Sequence, residues 1–264
     1  MRFGIAQTSW GPLEDFSSAG KFSDIGLSSV TLVPSKYDQD FEFAAWEWCS
    51  VRDFWKGFGI EIACIQGFFF GGPYSIDVDS DFFEITRLRF RTALECATAM
   101  ECPNLVLGAP SSRDSNNLEG VLEGLHVLNA MAFDNGKRLL VENLPIQFEG
   151  VALAKGSELA RLTCKNTALG ICLDIGNLFS WHTRYETALF EVKHLLDTNS
   201  VKQLQFNMIE PAHLSWLIQL LEESSLACHF ESALLTIEAQ PADFESSIKL
   251  LDKLCRSSGS TLEL

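Results

Sequence analysis

Four polar residues close four apolar runs at nearly constant separation: Glu142 in "LLVENLP", Asp174 in "ICLDIGN", Asn207 in "QLQFNMIEP" and Glu238 in "LLTIEAQP". The intervals are 32, 33 and 31 residues. A period that regular is one strand-plus-helix unit each time, which sets the four side chains at one level on neighbouring strands. Three carboxyl groups converging there repel one another, and their pKa values rise unless a cation or a shared proton relieves them. Carboxylates with an amide carbonyl suit a hard divalent ion such as Mn²⁺, Mg²⁺ or Co²⁺, so Glu142, Asp174, Asn207 and Glu238 form a candidate metal site. Two of the carboxylates, Glu142 and Glu238, facing each other across a substrate, are the candidate acid and base for moving a proton. The bland alternative is that an acidic residue after a strand caps the following helix.

The elements that must position these residues alternate along the whole chain. Near-continuous apolar runs predict strands over 2–9, 28–34, 59–66, 104–110, 137–144, 169–176, 201–208 and 233–239. Runs of that kind fit a parallel sheet covered on its outer face rather than a half-exposed one. Amphipathic segments with helix signals lie between them, including "DSNNLEGVLEGLHVLNAMAFDNGK", "GSELARL", "YETALFEVKHLL", "AHLSWLIQLLEE" and "PADFESSIKLLDKLC". Strand then helix, eight times over, predicts a single-domain (β/α)8 barrel over residues 1–264, with a doubly wound open sheet as the alternative. No G-x-G-x-x-G follows the first strand, which counts against a dinucleotide-binding sheet.

Composition narrows the partners. With 47% hydrophobic and 21% charged residues in 264, the chain has the profile of a soluble globular protein with a large core. Its 20 basic and 35 acidic residues leave a net charge of −15, a field that repels phosphate backbones and anionic bilayers, so neither nucleic acid nor membrane is an expected partner. The start "MRFGIAQTSW" does not read as a secretory signal, and a cytoplasmic location is expected. Eight cysteines without a C-x-x-C pair read as small buried hydrophobes rather than a zinc or redox site.

The loops after the strands supply candidate ligand contacts. "QGFFFGGPY" and "FSWHTRY" set Phe68, Phe69, Phe70, Tyr74, Trp181 and Tyr185 near the mouth as aromatic walls for the apolar face of a small ligand. Gln66, Asn177, Glu210 and the loop histidines His182 and His213 are further candidate contacts, whereas His126 and His194 fall on helices. Arg113, after the fourth strand, is the cation placed to meet a phosphate or carboxylate. In "FEFAAWEWCSVRDFW" (41–55) the aromatic spacing is helical and reads as core or as a homodimer face, with only one of Trp46 and Trp48 able to point inward.

Taken in order, "IAQTSW", "VTLVPSKY", "IEIACIQGFFFGGP", "LVLGAPSSRD", "VENLP", "LDIGN", "FNMIEP" and "TIEAQ" resemble the eight strands of the xylose isomerase-like barrel superfamily, of the sugar phosphate isomerase/epimerase type. The resemblance implies a metal held by Glu, Asp, His and Glu of strands five to eight, with the two glutamates shuttling a proton between adjacent carbons of a sugar. Three positions depart from it: Asn207 stands where the histidine is expected, Asn177 where a second histidine is common, and Thr31 where an acidic residue is common. An amide carbonyl is a weaker ligand than imidazole for transition metals, so the metal is either held less tightly or absent. The five histidines are too few for the multi-zinc DNA-repair branch. Sequence therefore points to an isomerase or epimerase acting on a small carbohydrate-like substrate. The alternatives are a dehydratase acting on a cyclitol or hydroxylated ring acid, and a metal-free barrel that binds a sugar-like ligand.

Overall fold

In the computed structural model the first strand, β1 (Arg2–Ala6), pairs in parallel with β2 (Ser29–Leu32) on one side and with β8 (Leu234–Glu238) on the other. Between these, β3 (Glu61–Gln66), β4 (Asn104–Leu107), β5 (Arg138–Glu142), β6 (Gly170–Asp174) and β7 (Val201–Asn207) each pair with the next, which closes an eight-stranded parallel barrel in chain order. The structure describes residues 2–8, 10–113, 116–163, 169–207, 216, 219–220, 223 and 233–238. The open-sheet alternative is thereby excluded, because β1 and β8 are hydrogen-bonded neighbours.

Helices α1 (Asp15–Asp24), α2 (Ala45–Gly57), α3 (Phe83–Ala99), α4 (Leu118–Asp134), α5 (Gly156–Thr163), α6 (Ile175–Ser180) and α7 (Tyr185–Asp197) follow their strands. The helices expected from "AHLSWLIQLLEE" and "PADFESSIKLLDKLC" fall largely outside the described residues. On α2, Trp48 is buried and Trp46 is 68% exposed, as the helical spacing requires. None of the described helices is long and apolar enough to cross a membrane.

The apolar core lies mostly between the sheet and its helices, where Phe22, Trp55, Phe90, Leu128, Leu159 and Leu195 are fully buried. The lumen is mixed. Cys64, Val106, Leu140 and Cys172 form a small apolar cluster there, while Gln203 donates to Thr31 and Thr236 across the barrel. Thr31 is thus a lumen hydrogen-bond acceptor rather than a member of the carboxylate group. The described cysteines are free, and Cys64, Cys96, Cys102 and Cys172 are buried. Burial pushes their thiols above the ordinary range, as expected of small core residues.

Candidate active site

Each strand alternates its side chains between lumen and helix layer, so the last inward residue of each strand lies at the barrel mouth. Glu142 ends β5, Asp174 ends β6 and Glu238 ends β8, and one carboxylate oxygen from each lies within 4.8 Å of the others. Asp174 is wholly buried, while the two glutamates keep part of their surface at the mouth. Gly108, just beyond β4, makes room for the group: a β-carbon there would lie 2.1 Å from Glu142 Oε2.

A glutamine that sequence reasoning passed over joins the two glutamates. Gln205 Nε2 donates to Glu238 Oε2 at 2.6 Å and to Glu142 Oε1 at 3.4 Å. It lies two residues before Asn207 on β7, so the strand period places it on the same face one level deeper. Reading only the last polar residue of each strand missed it. Gln66, at the end of β3, donates to Glu238 Oε1 at 3.4 Å and thus reaches the mouth.

Asp174 divides its two oxygens between two tasks. Oδ1 accepts from the Asn177 backbone N–H at 2.8 Å and caps α6, which starts at Ile175 and so ends the strand two residues before the sequence boundary. Oδ2 is buried and has no hydrogen-bond partner among the described residues. Asn143, also unforeseen, clamps the same residue: its Nδ2 donates to the Asp174 carbonyl at 2.9 Å and its Oδ1 accepts from the Asp174 N–H at 2.7 Å.

Crowding and burial act together on the carboxyls. Burial pushes Glu142 well above the usual carboxylate range, the charges of Glu238 and Asp174 add to this, and Arg113 opposes it. Asp174 is pushed up by burial and then by Glu238, against the backbone N–H donors of Asn177, Gly176 and Asn207. Glu238 is raised by burial, and Gln205, Gln66 and the charge of Lys36 counteract the rise. Lys36 follows β2 and donates from Nζ to the carbonyls of Thr8 and Trp10, at 2.9 and 2.8 Å.

The donor set fits a hard cation. Besides the carboxylates of Glu142 and Glu238, the buried atoms without a hydrogen-bond partner among the described residues include three oxygen acceptors at strand ends, Asp174 Oδ2, Asn207 Oδ1 and Gln66 Oε1. Buried acceptors lacking donors are costly, and a cation relieves acceptors and like charges alike. Asn207 pairs in register with Glu238, which sets it at the level of the carboxylates.

Other expected contacts lie elsewhere. Arg113 is fully buried, and its Nη1 donates to the carbonyls of Glu142 and Leu153 at 2.9 and 3.1 Å. It braces the β5 end from behind rather than facing an anion at the mouth. Phe68 and Phe69 are each 1% exposed and pack on one another and on Phe90 of α3, so they offer no wall to a ligand, while Phe70 is 63% exposed. Asn177 is buried, with Nδ2 donating to the Asn143 carbonyl. His182 pairs with Glu191 of α7 at 2.6 Å instead of overhanging the mouth. Trp181 donates to the Leu144 carbonyl and lines a cleft of about 670 Å³ with Leu118, Leu122 and Lys155. Glu210 and His213 lie outside the described residues.

Residues 20–215 match the family described as "Xylose isomerase-like TIM barrel". No curated protein matches the chain by sequence. Among solved structures, D-psicose 3-epimerase with D-tagatose from Clostridium cellulolyticum superposes with a TM-score of 0.71 at 13% identity, covering 99% of this chain and 98% of that one. The probable 3-DHS dehydratase involved in petrobactin synthesis from Bacillus anthracis gives 0.68 at 13% identity, with 96% and 98% covered. Endonuclease IV from Thermus thermophilus gives 0.67 at 15% identity, with 95% and 98% covered. At such identities the likeness is one of fold.

Proposed function

The chain belongs to the xylose isomerase-like TIM barrel family, and from that premise we propose that it is an isomerase or epimerase of a small polyhydroxylated carbonyl compound, working by proton transfer between Glu142 and Glu238. The observation that carries this reading is the pair of mouth glutamates joined through one amide, Gln205, within reach of a third carboxylate, Asp174.

Hydrogen bonding makes the pair unequal. Glu238 receives the short bond from Gln205 and a second, longer one from Gln66, whereas Glu142 receives only the long bond from Gln205. That supports Glu238 as the carboxylate that starts ionised and removes the proton next to the carbonyl, leaving an enediolate. Glu142 then delivers a proton to the neighbouring position or to the opposite face. Glu142, Asp174 and Glu238, with the Asn207 carbonyl, would hold a divalent ion such as Mn²⁺, Mg²⁺ or Co²⁺. Bound there, the ion would supply Lewis-acid polarisation of the substrate carbonyl.

The test is incubation with a panel of ketohexoses and their phosphates in D₂O with Mn²⁺, followed by mass and NMR analysis. An isomer carrying carbon-bound deuterium is expected, with turnover abolished by Glu142→Gln and by Glu238→Gln. A product lacking one water would instead assign a dehydratase, and turnover that survives both substitutions would remove the glutamate pair from the mechanism.

A further inference from the structure

We infer that the amino-terminal end of the barrel, opposite the carboxylate mouth, carries a second binding site that takes the phosphate group of a small anion. The strand starts there enclose a cavity of about 510 Å³, within the range of small-ligand sites. Its described lining includes Arg52, Lys56, Arg138 and Lys202 against Glu61 and Glu101, an excess of cations in a chain of net charge −15.

Two of those cations are free for a ligand. Arg52 and Lys56 both engage Glu101, at 3.0 and 3.8 Å. Arg138, the first residue of β5, and Lys202, the second of β7, have no carboxylate within ion-pair distance among the described residues. Lys202 Nζ donates to the Asn199 carbonyl at 2.6 Å, which leaves other protons of the ammonium available.

The two side chains flank β6, the strand between them, which begins with glycine. A β-carbon on Gly170 would lie 2.4 Å from Leu140 Cδ2, 3.2 Å from Lys202 Cγ and 3.3 Å from Arg138 Cδ, so both cationic stems run close beside the bare backbone. A larger residue would strike Leu140 Cδ2 and crowd both stems. Juxtaposed like charges are unfavourable until an anion lies between them, and a guanidinium beside an ammonium is a pairing that recognises phosphate oxygens. The proximity is also felt by Lys202, which burial and the Arg138 charge hold below the ordinary lysine range. Ile60, Ile62, Ala63, Met100 and Leu234 give the cavity apolar surface for the carbon body of the ligand.

The probe is inorganic phosphate, titrated calorimetrically against sodium chloride at matched ionic strength. One saturable phosphate per chain is expected, weakened about tenfold by Arg138→Gln and by Lys202→Gln, which remove one charge-assisted contact each. Arg91→Gln, at an exposed position of α3, and Glu142→Gln, at the opposite end of the barrel, should leave that binding unchanged. Absence of saturable binding, binding indifferent to both cation substitutions, or binding lost in Glu142→Gln would each overturn the assignment.

Discussion

The side-chain amide of Asn143 closes a pair of hydrogen bonds on the backbone of Asp174, donating from Nδ2 to its carbonyl and accepting at Oδ1 from its N–H. Asn143 follows β5 and Asp174 ends β6, so this amide continues the strand pairing past the point where the ladder stops. It thereby fixes the direction in which the Asp174 carboxylate leaves the strand.

Asn143→Ala should therefore be costly in two ways. Both Asp174 backbone groups lose their partner in a buried place, at about 1–3 kcal/mol each, so a loss of about 2–6 kcal/mol is expected in denaturant unfolding. Turnover and divalent-ion affinity should fall as well. A variant that unfolds no more easily than the parent would show that the clamp adds nothing to the stability of the site.

Gly108→Ala separates the fold from the chemistry. The atom that a new methyl would strike is Glu142 Oε2, the far end of a flexible side chain, so the backbone need not move. Stability should change by less than about 1 kcal/mol. The displaced carboxylate should nonetheless cost about a hundredfold in turnover, because misplacement by about 1 Å is enough for that. Melting curves and kcat/KM on one preparation decide between this outcome and a merely structural glycine.

How much of this was legible in the sequence depended on whether the deciding partner was near in the chain. The eight strands could be read because parallel strands buried on both faces are continuously apolar, and the level of Glu142, Asp174 and Glu238 followed from their spacing. Asp174 was open to two readings, helix cap or ligand; its Oδ1 caps α6 while Oδ2 is left without a donor. The "FFF" run could not be read, because Phe68 and Phe69 are buried by a turn through Gly67 at φ +74° and by contact with Phe90 on the next helix. Arg113 failed for a related reason: its partners are the carbonyls of Glu142 and Leu153, 29 and 40 residues away.

Stability of the ion-free protein should fall as pH rises. Glu142, Asp174 and Glu238 all have pKa values raised in the folded state, so the native chain holds protons that the unfolded chain has released. Their contribution is complete below the ordinary carboxylate range and is lost as pH climbs through the raised values, by up to about 1.4 kcal/mol per pH unit for each retained proton. Mn²⁺ should oppose the fall, with its stabilisation growing toward high pH. Melting temperatures across pH with EDTA and with Mn²⁺ test this, and a flat EDTA series would show that the three carboxyls do not share the burden.

Gln205→Leu should move the acidic limb of kcat/KM to higher pH. The amide bond from Gln205 stabilises ionised Glu238, so its removal raises that carboxyl further, and more alkali is needed to generate the base. A variant that loses rate with an unmoved limb would show that Gln205 acts in some other way than through Glu238.

Asn207→His should strengthen transition-metal binding. Asn207 is in register with Glu238, and its backbone N–H supports Asp174, so the position is already part of the carboxylate group. Its Oδ1 is a neutral oxygen, whereas a neutral imidazole nitrogen is the better donor toward a later transition ion such as Co²⁺. An affinity gain of about tenfold for Co²⁺, with a smaller one for Mg²⁺, is expected from that preference. Calorimetric titration of both ions into parent and variant separates the cases: a gain greater for Co²⁺ than for Mg²⁺ is the signature of a new nitrogen ligand, while equal affinities in the two proteins would place residue 207 outside the coordination sphere.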